Sequence, residues 1–186
     1  MAIEGLDRGP LALLPSGQGA CYLIEERKPD LAYRLFELLR ATRRVQGLVV
    51  TRQYPARVRE AHGLQDVRVL WLSHTPGTDH QNPTALGSLA KAVVQFVEDA
   101  GGEAVVLVDG LEFLGVNNGF LQTLMFVEHV SEFVMQKQAV VLLPVNPEAL
   151  DEKELALLER NIEVLPGEAI RTDLERSEVA RLLDTY

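Results

Sequence analysis

A three-layer α/β/α sandwich on a mainly parallel sheet is the fold class this sequence predicts, and three observations predict it. From residue 20 onward, strand-like apolar runs alternate with helix-length segments of 10 to 18 residues, the pattern that right-handed crossovers and a sheet covered on both faces produce. The run Ala104-Val-Val-Leu-Val-Asp109 is continuously apolar and closes on a carboxylate followed by Gly110, as a central parallel strand does. The chain has 186 residues, 47% hydrophobic and 24% charged. That is a globular composition of single-domain length, enough to bury roughly 70% of the unfolded surface without staples.

Residues 1–18 hold Gly5, Gly9, Pro10, Pro15 and Gly17 without periodicity, so they are expected to form an arm. A domain over 19–166 and a helical tail over 167–186 follow. Within the domain, 20–25 reads as a strand and 29–42 as a helix opened by Pro29, with Leu31, Leu35, Leu38 and Leu39 on one side. Residues 47–51 read as a second strand, 55–61 as a short helix and 67–73 as a third strand. Asn82-Pro83 has the form of a helix start, with Leu86, Leu89, Val93, Phe96 and Val97 facing inward and Gly101-Gly102 as the stop. The strand at 104–109 is expected to lead through a turn at Asn117-Asn118-Gly119 into a long helix over 120–137, followed by a strand at 139–143. Asn146-Pro147 and the capping-box pattern of Asp151 with Glu154 open a helix to about residue 160, and 162–165 can form a last strand. In the tail, Ile170, Leu174, Val179, Leu182 and Leu183 stand among charges, as in an amphipathic helix that packs either at home or on a partner.

Several functional classes are disfavoured. No uncharged apolar run of membrane-spanning length is present, and Leu11 to Leu14 is too short for the core of an export signal. The single cysteine, Cys21, falls in a strand and excludes an intramolecular disulfide. A cytoplasmic protein is expected. Asp109 and Glu112 sit where nucleotide hydrolases hold Mg²⁺, but no Gly-x-x-x-x-Gly-Lys-Ser/Thr loop accompanies them. Gly17-Gln-Gly19 precedes the first strand rather than following it. After that strand stands Glu25-Glu26-Arg27-Lys28-Pro29-Asp30, whose carboxylates repel phosphate. No NTP hydrolysis, catalytic residue or cofactor is expected. The segment with His74, Asp79 and His80 lacks diagnostic metal spacing, no metal is expected, and no serine lies in a nucleophile elbow. His62 and His129 read as ordinary surface or helix residues.

The net charge of −9 argues against general nucleic-acid binding, yet residues 27–68 carry ten basic and four acidic side chains. That window is +6 and leaves −15 on the rest. Arg40, Arg43 and Arg44, with Arg52, Arg57 and Arg59, are the best candidates for binding an anionic nucleotide or cyclic dinucleotide, because guanidinium forks grip phosphate bidentately. Asp109 and Glu112 complete the candidate set. Two alternatives stay open: a solvated basic helix face for the arginines, and a structural role for the two carboxylates.

The segments Tyr22-Leu-Ile-Glu25-Glu26, Ala32-Tyr33-x-Leu-Phe36, Gly47-Leu-Val-Val-Thr51-Arg52-x-x-Pro55, Trp71-Leu-Ser73, Val108-Asp109-Gly110-Leu-Glu112-Phe-Leu114, Asn117-Asn118-Gly119-Phe120 and Leu150-Asp-Glu152-x-Glu154-Leu together resemble the family known as domain of unknown function 835, over residues 19–165. The resemblance implies a degenerate RecA-like or KaiC-like domain that has lost its Walker A loop, of a kind that often accompanies sensory and histidine-kinase modules in bacteria and archaea. It implies a non-catalytic regulatory or scaffolding role in signal transduction through a protein partner, with homo-oligomers possible, and it supplies no catalytic residues. No sensor or kinase module stands in these residues, so the input is expected from a partner or a ligand.

Overall fold

The computed structural model describes Leu14 and residues 17–185. Apart from Leu14, Gly17 and Gln18, the expected arm lies outside the described residues. Seven strands form one sheet, every pair parallel: β1 (Ala20–Glu25), β2 (Gln46–Thr51), β3 (Arg68–Leu72), β4 (His80–Gln81), β5 (Ala104–Asp109), β6 (Val140–Val145) and β7 (Glu163–Val164). Their order is β4-β3-β2-β5-β6-β1-β7. Among the described residues, six α-helices lie between strands, α1 (Asp30–Arg43), α2 (Pro55–His62), α3 (Leu86–Asp99), α4 (Leu111–Asn118), α5 (Phe120–Met135) and α6 (Glu152–Asn161), and α7 (Gly167–Leu183) follows β7. The α/β class and the parallel sheet are as the sequence predicts, and a RecA-like arrangement is compatible with this order.

Alternation along each strand splits the core in two. Cys21, Leu23, Leu48, Val50, Val106 and Val108 pack with α3, α4, α5 and α6. Tyr22, Ile24, Val49, Val105 and Leu107 pack with α1, α2 and α7 on the other face. Because successive side chains of a strand point to opposite faces, a strand covered on both must be apolar throughout; Ala104 to Val108 are at most 1% exposed. Burial raises the Cys21 thiol pKa and keeps it protonated. Gly19 admits the chain to β1 rather than cradling an anion, since a Cβ there would fall on the carbonyl oxygen of Val134 in α5.

Two local expectations need correction, and one element is additional. Asn117 and Asn118 end α4 instead of forming a turn: their side-chain amides donate to Phe113 O, Leu114 O and Pro83 O, and Gly119, at φ 82°, makes the break before α5. Asn82 does not cap a helix. Its Oδ1 accepts from both the amide and the hydroxyl of Thr84, a local turn that delays α3 to Leu86. The two-residue β4 escapes the sequence reading because it is too short to show periodicity. The predicted capping box of Asp151 and Glu154 is present, and α7 lies at home, burying Ile170 and Leu174 against the α1 side. No helix among the described residues is long and apolar enough to cross a membrane.

Candidate functional site at the carboxyl edge of the sheet

All strands end at the same edge, and ligands of open parallel sheets bind where neighbouring strands send their connections to opposite faces. Two neighbouring pairs meet that condition. β2 leads to α2 on one face while β5 leads to α4 and α5 on the other, and β1 leads to α1 while β6 leads to α6.

In the β2–β5 crevice, Thr51 stands beside Asp109 in register. A single carboxylate oxygen of Asp109, Oδ2, accepts from Tyr33 Oη at 3.0 Å, Thr51 Oγ1 at 3.1 Å and Gln53 Nε2 at 3.0 Å. Thr51 is fully buried, and its oxygen also accepts from the Gln53 amide. The Tyr33 ring, itself buried, stacks on His62 at 3.9 Å with planes 4° apart. Burial, with the negative charge of Asp109 added, raises the Tyr33 pKa, so its hydroxyl stays a donor. Burial also lowers the His62 pKa, opposed by Asp30 and Asp109. Gly110, at φ 145°, lets the chain turn from β5 into α4. Glu112 then accepts from the Asn146 amide at 2.6 Å, tying α4 to the end of β6.

In the β1–β6 crevice, where a phosphate-binding loop would stand, the Glu26 side chain reaches forward. Its Oε2 accepts from Leu31 N and its Oε1 from Ala32 N, both at 2.9 Å, at the start of α1. Pro29 supplies no side-chain cap there. The carboxylate thus takes the first-turn amides that bind anions at helix N-termini. Burial raises the Glu26 pKa, the two amides lower it, and Asp30 and Asp109 add to the rise. Beside it, Oε1 of Glu25 is shut off from solvent without a hydrogen-bond donor. Burial raises the Glu25 pKa, and the neighbouring Glu159 carboxyl adds to the rise because a second negative charge beside it is disfavoured.

The candidate arginines do not form one cluster. Arg40, Arg43 and Arg44 close α1 at the amino edge of the sheet, whereas Arg52 follows β2 at the carboxyl edge and Arg57 begins α2 there. Six residues of β2 separate the two groups by about 16 Å. Arg40 is neutralised by Glu37 and Asp66, each at 3.0 Å, and Arg44 adopts the left-handed conformation that ends α1. Arg59 lies in the last turn of α2, where the helix dipole favours a cation. Arg52 and Arg57 are exposed. The Arg52 guanidinium lies 4.3 Å from the centre of the Phe113 ring, and its carbonyl accepts from Trp71 Nε1 at 3.0 Å. Trp71 meets Tyr54 and His80 edge-on. His80 Nδ1 lies 2.6 Å from Thr75 O, and Asp79 pairs with Arg68. Among the described residues no group of three or more His, Cys, Asp or Glu side chains could hold a metal ion.

Comparison with known proteins matches residues 26–162 to the sequence family described as Protein of unknown function (DUF835). The chain belongs to the DUF835 family. Curated proteins give no match. A solved structure from Pyrococcus horikoshii OT3 resembles it with a TM-score of 0.53 at 14% identity, covering 85% of this chain and 86% of that one, which shows a shared fold.

In this DUF835 chain, sequence reasoning found Asp109 and Glu112 but missed the residues that surround them. Tyr33 reads as one more apolar residue of the α1 face, and only its hydroxyl hints at a buried acceptor. Thr51 and Gln53 carried a readable signal, being polar side chains at the end of an apolar strand. In the sequence Glu26 reads only as a repellent of phosphate; its capture of the α1 amides depends on the folded path from β1 into α1.

Proposed function

We propose that this domain is a non-catalytic regulatory or scaffolding module of cytoplasmic signal transduction that acts by protein–protein interaction, with its own side chains filling the place of a nucleotide. The supporting observation is the Glu26 carboxylate on the Leu31 and Ala32 amides. An incoming phosphate would have to displace a tethered carboxylate and approach a second one, Glu25. Asp109 supports the reading: its Oδ2 is already taken by hydrogen bonds from Tyr33, Thr51 and Gln53. A KaiC-like frame with both positions self-satisfied is suited to presenting surfaces rather than turning over substrate.

One observation favours a second reading. Arg52 and Arg57 are exposed beside the Asp109 crevice, with Gln53 and Tyr54 next to them, so an anionic nucleotide or cyclic dinucleotide could bind at that edge. A thermal-shift panel of ATP, GTP and cyclic dinucleotides with and without Mg²⁺ separates the two, because a ligand of the native state raises Tm. The interaction-module reading expects no shift and no phosphate release from ATP or GTP. A shift that disappears in Arg52→Ala would transfer the assignment to the receptor reading. Hydrolysis that disappears in Asp109→Asn would overturn both.

A further inference from the structure

Among the described residues, two apolar features on opposite faces of the sheet are unpartnered. One is a groove of about 380 Å³ between α3 and α5, lined by Leu86, Ala90, Lys91, Val94, Met125 and Phe126 among others. Met125 is 53% exposed, and Leu121 beside it 65%. The other is a stripe on α7: Val179, Leu182 and Leu183 are 55%, 64% and 71% exposed. At 100° per residue this stripe points away from the buried Ile170, Asp173, Leu174 and Ser177 of the same helix. Glu175 continues it at i, i+4 and i+7 spacing. The groove lies with the first core and α7 with the second, so the sheet stands between stripe and groove within one chain.

We propose that the α7 stripe of one copy seats in the α3–α5 groove of a second copy. Leu182 and Leu183 enter the apolar trough as an amphipathic helix enters a hydrophobic groove. The charges complement at one pair: Lys91 lines the groove, Glu175 flanks the stripe, and neither has an ion-pair partner among the described residues, while Arg176, which also borders the stripe, is paired with Asp173 of its own helix at 3.9 Å. Because stripe and groove are different surfaces, the contact is heterologous. Each added copy presents a fresh stripe and a fresh groove, so assembly proceeds head to tail into rings or open chains. This contact is separate from the carboxyl edge, and the nucleotide panel does not bear on it.

Light scattering across a concentration series tests it. The wild-type mass is expected to climb from 20.6 kDa through multiples of that value. Leu182→Glu with Leu183→Glu, and separately Met125→Glu, should each remain monomeric with an unchanged circular dichroism spectrum, since all three positions are exposed. A 1:1 mixture of the two variants should form dimers and nothing larger, because together they retain one intact stripe and one intact groove. Glu175→Lys should weaken assembly, and Lys91→Glu in the same chain should restore it. A wild type that stays monomeric overturns the proposal. So does a mixture that fails to dimerise, or a stripe variant that dissociates while the groove variant still assembles, which would indicate α7 pairing with α7.

Discussion

At the scale of single residues, the chemistry concentrates on one oxygen. Asp109 Oδ2 receives three hydrogen bonds, so each donor is held by an acceptor that also serves two others. Tyr33→Phe keeps the ring and its stacking on His62 but removes one charge-assisted hydrogen bond. It is expected to cost about 1.5 kcal/mol, measured by urea unfolding with the m value unchanged. His62 has a distinct pH signature. Its native pKa lies below the ordinary 6.5, chiefly through burial. Between that lower value and 6.5 the unfolded chain binds a proton that the native ring refuses, so His62 makes stability fall as pH falls through this window and level off below it. His62→Phe retains an aromatic plane on Tyr33 without a titrating group. It should flatten the stability profile just below pH 6.5; an unchanged slope there would show that other groups set it.

At the scale of elements, α1 depends on a residue outside itself. Pro29 fixes the entry of the helix but offers no side-chain oxygen, and Glu26 supplies both acceptors from five and six residues upstream. Glu26→Ala therefore removes a cap and should destabilise by about 1 to 2 kcal/mol. Glu26→Gln keeps one acceptor oxygen and should lose roughly half as much. Equal losses in the two variants, read from urea midpoints, would mean that the charge rather than the pair of hydrogen bonds matters. β5 supplies the other element-scale test. Val106 is fully buried between β2 and β6, where an aspartate must stay desolvated or hold a proton. Val106→Asp should cost on the order of 4 kcal/mol or more, enough to leave little folded protein by circular dichroism.

At the scale of the whole molecule, both cores lean on the same five strands, β1, β2, β3, β5 and β6, so neither face can loosen without exposing the other. Thermal unfolding is expected as one cooperative transition, with near-ultraviolet and far-ultraviolet circular dichroism melting together. Two separated transitions would show that one helical layer unfolds independently. The charge asymmetry also changes meaning at this scale. The +6 window is divided between the two edges of the sheet, and part of it is neutralised at Arg40 and Arg68. What remains exposed at the carboxyl edge is a small basic rim of Arg52 and Arg57 after β2 and of Arg27 and Lys28 after β1, with Arg27 3.7 Å from Glu148, on an acidic body.

The sequence by itself determined the layered α/β class, most strand positions, the Asp151 capping box and the place of Asp109 at a strand end. These rest on periodicities and turn chemistry within a few residues, and such local signals survive without knowledge of the fold. Tertiary structure alone decided that Tyr33, Thr51 and Gln53 converge on Asp109 across 76, 58 and 56 positions of chain, and that the arginines separate. Strand order causes both. β2 pairs with β5, which lies more than fifty residues further along, so side chains remote in sequence meet at one crevice. Arg44 and Arg52, eight positions apart, are carried to opposite edges because an extended strand runs between them.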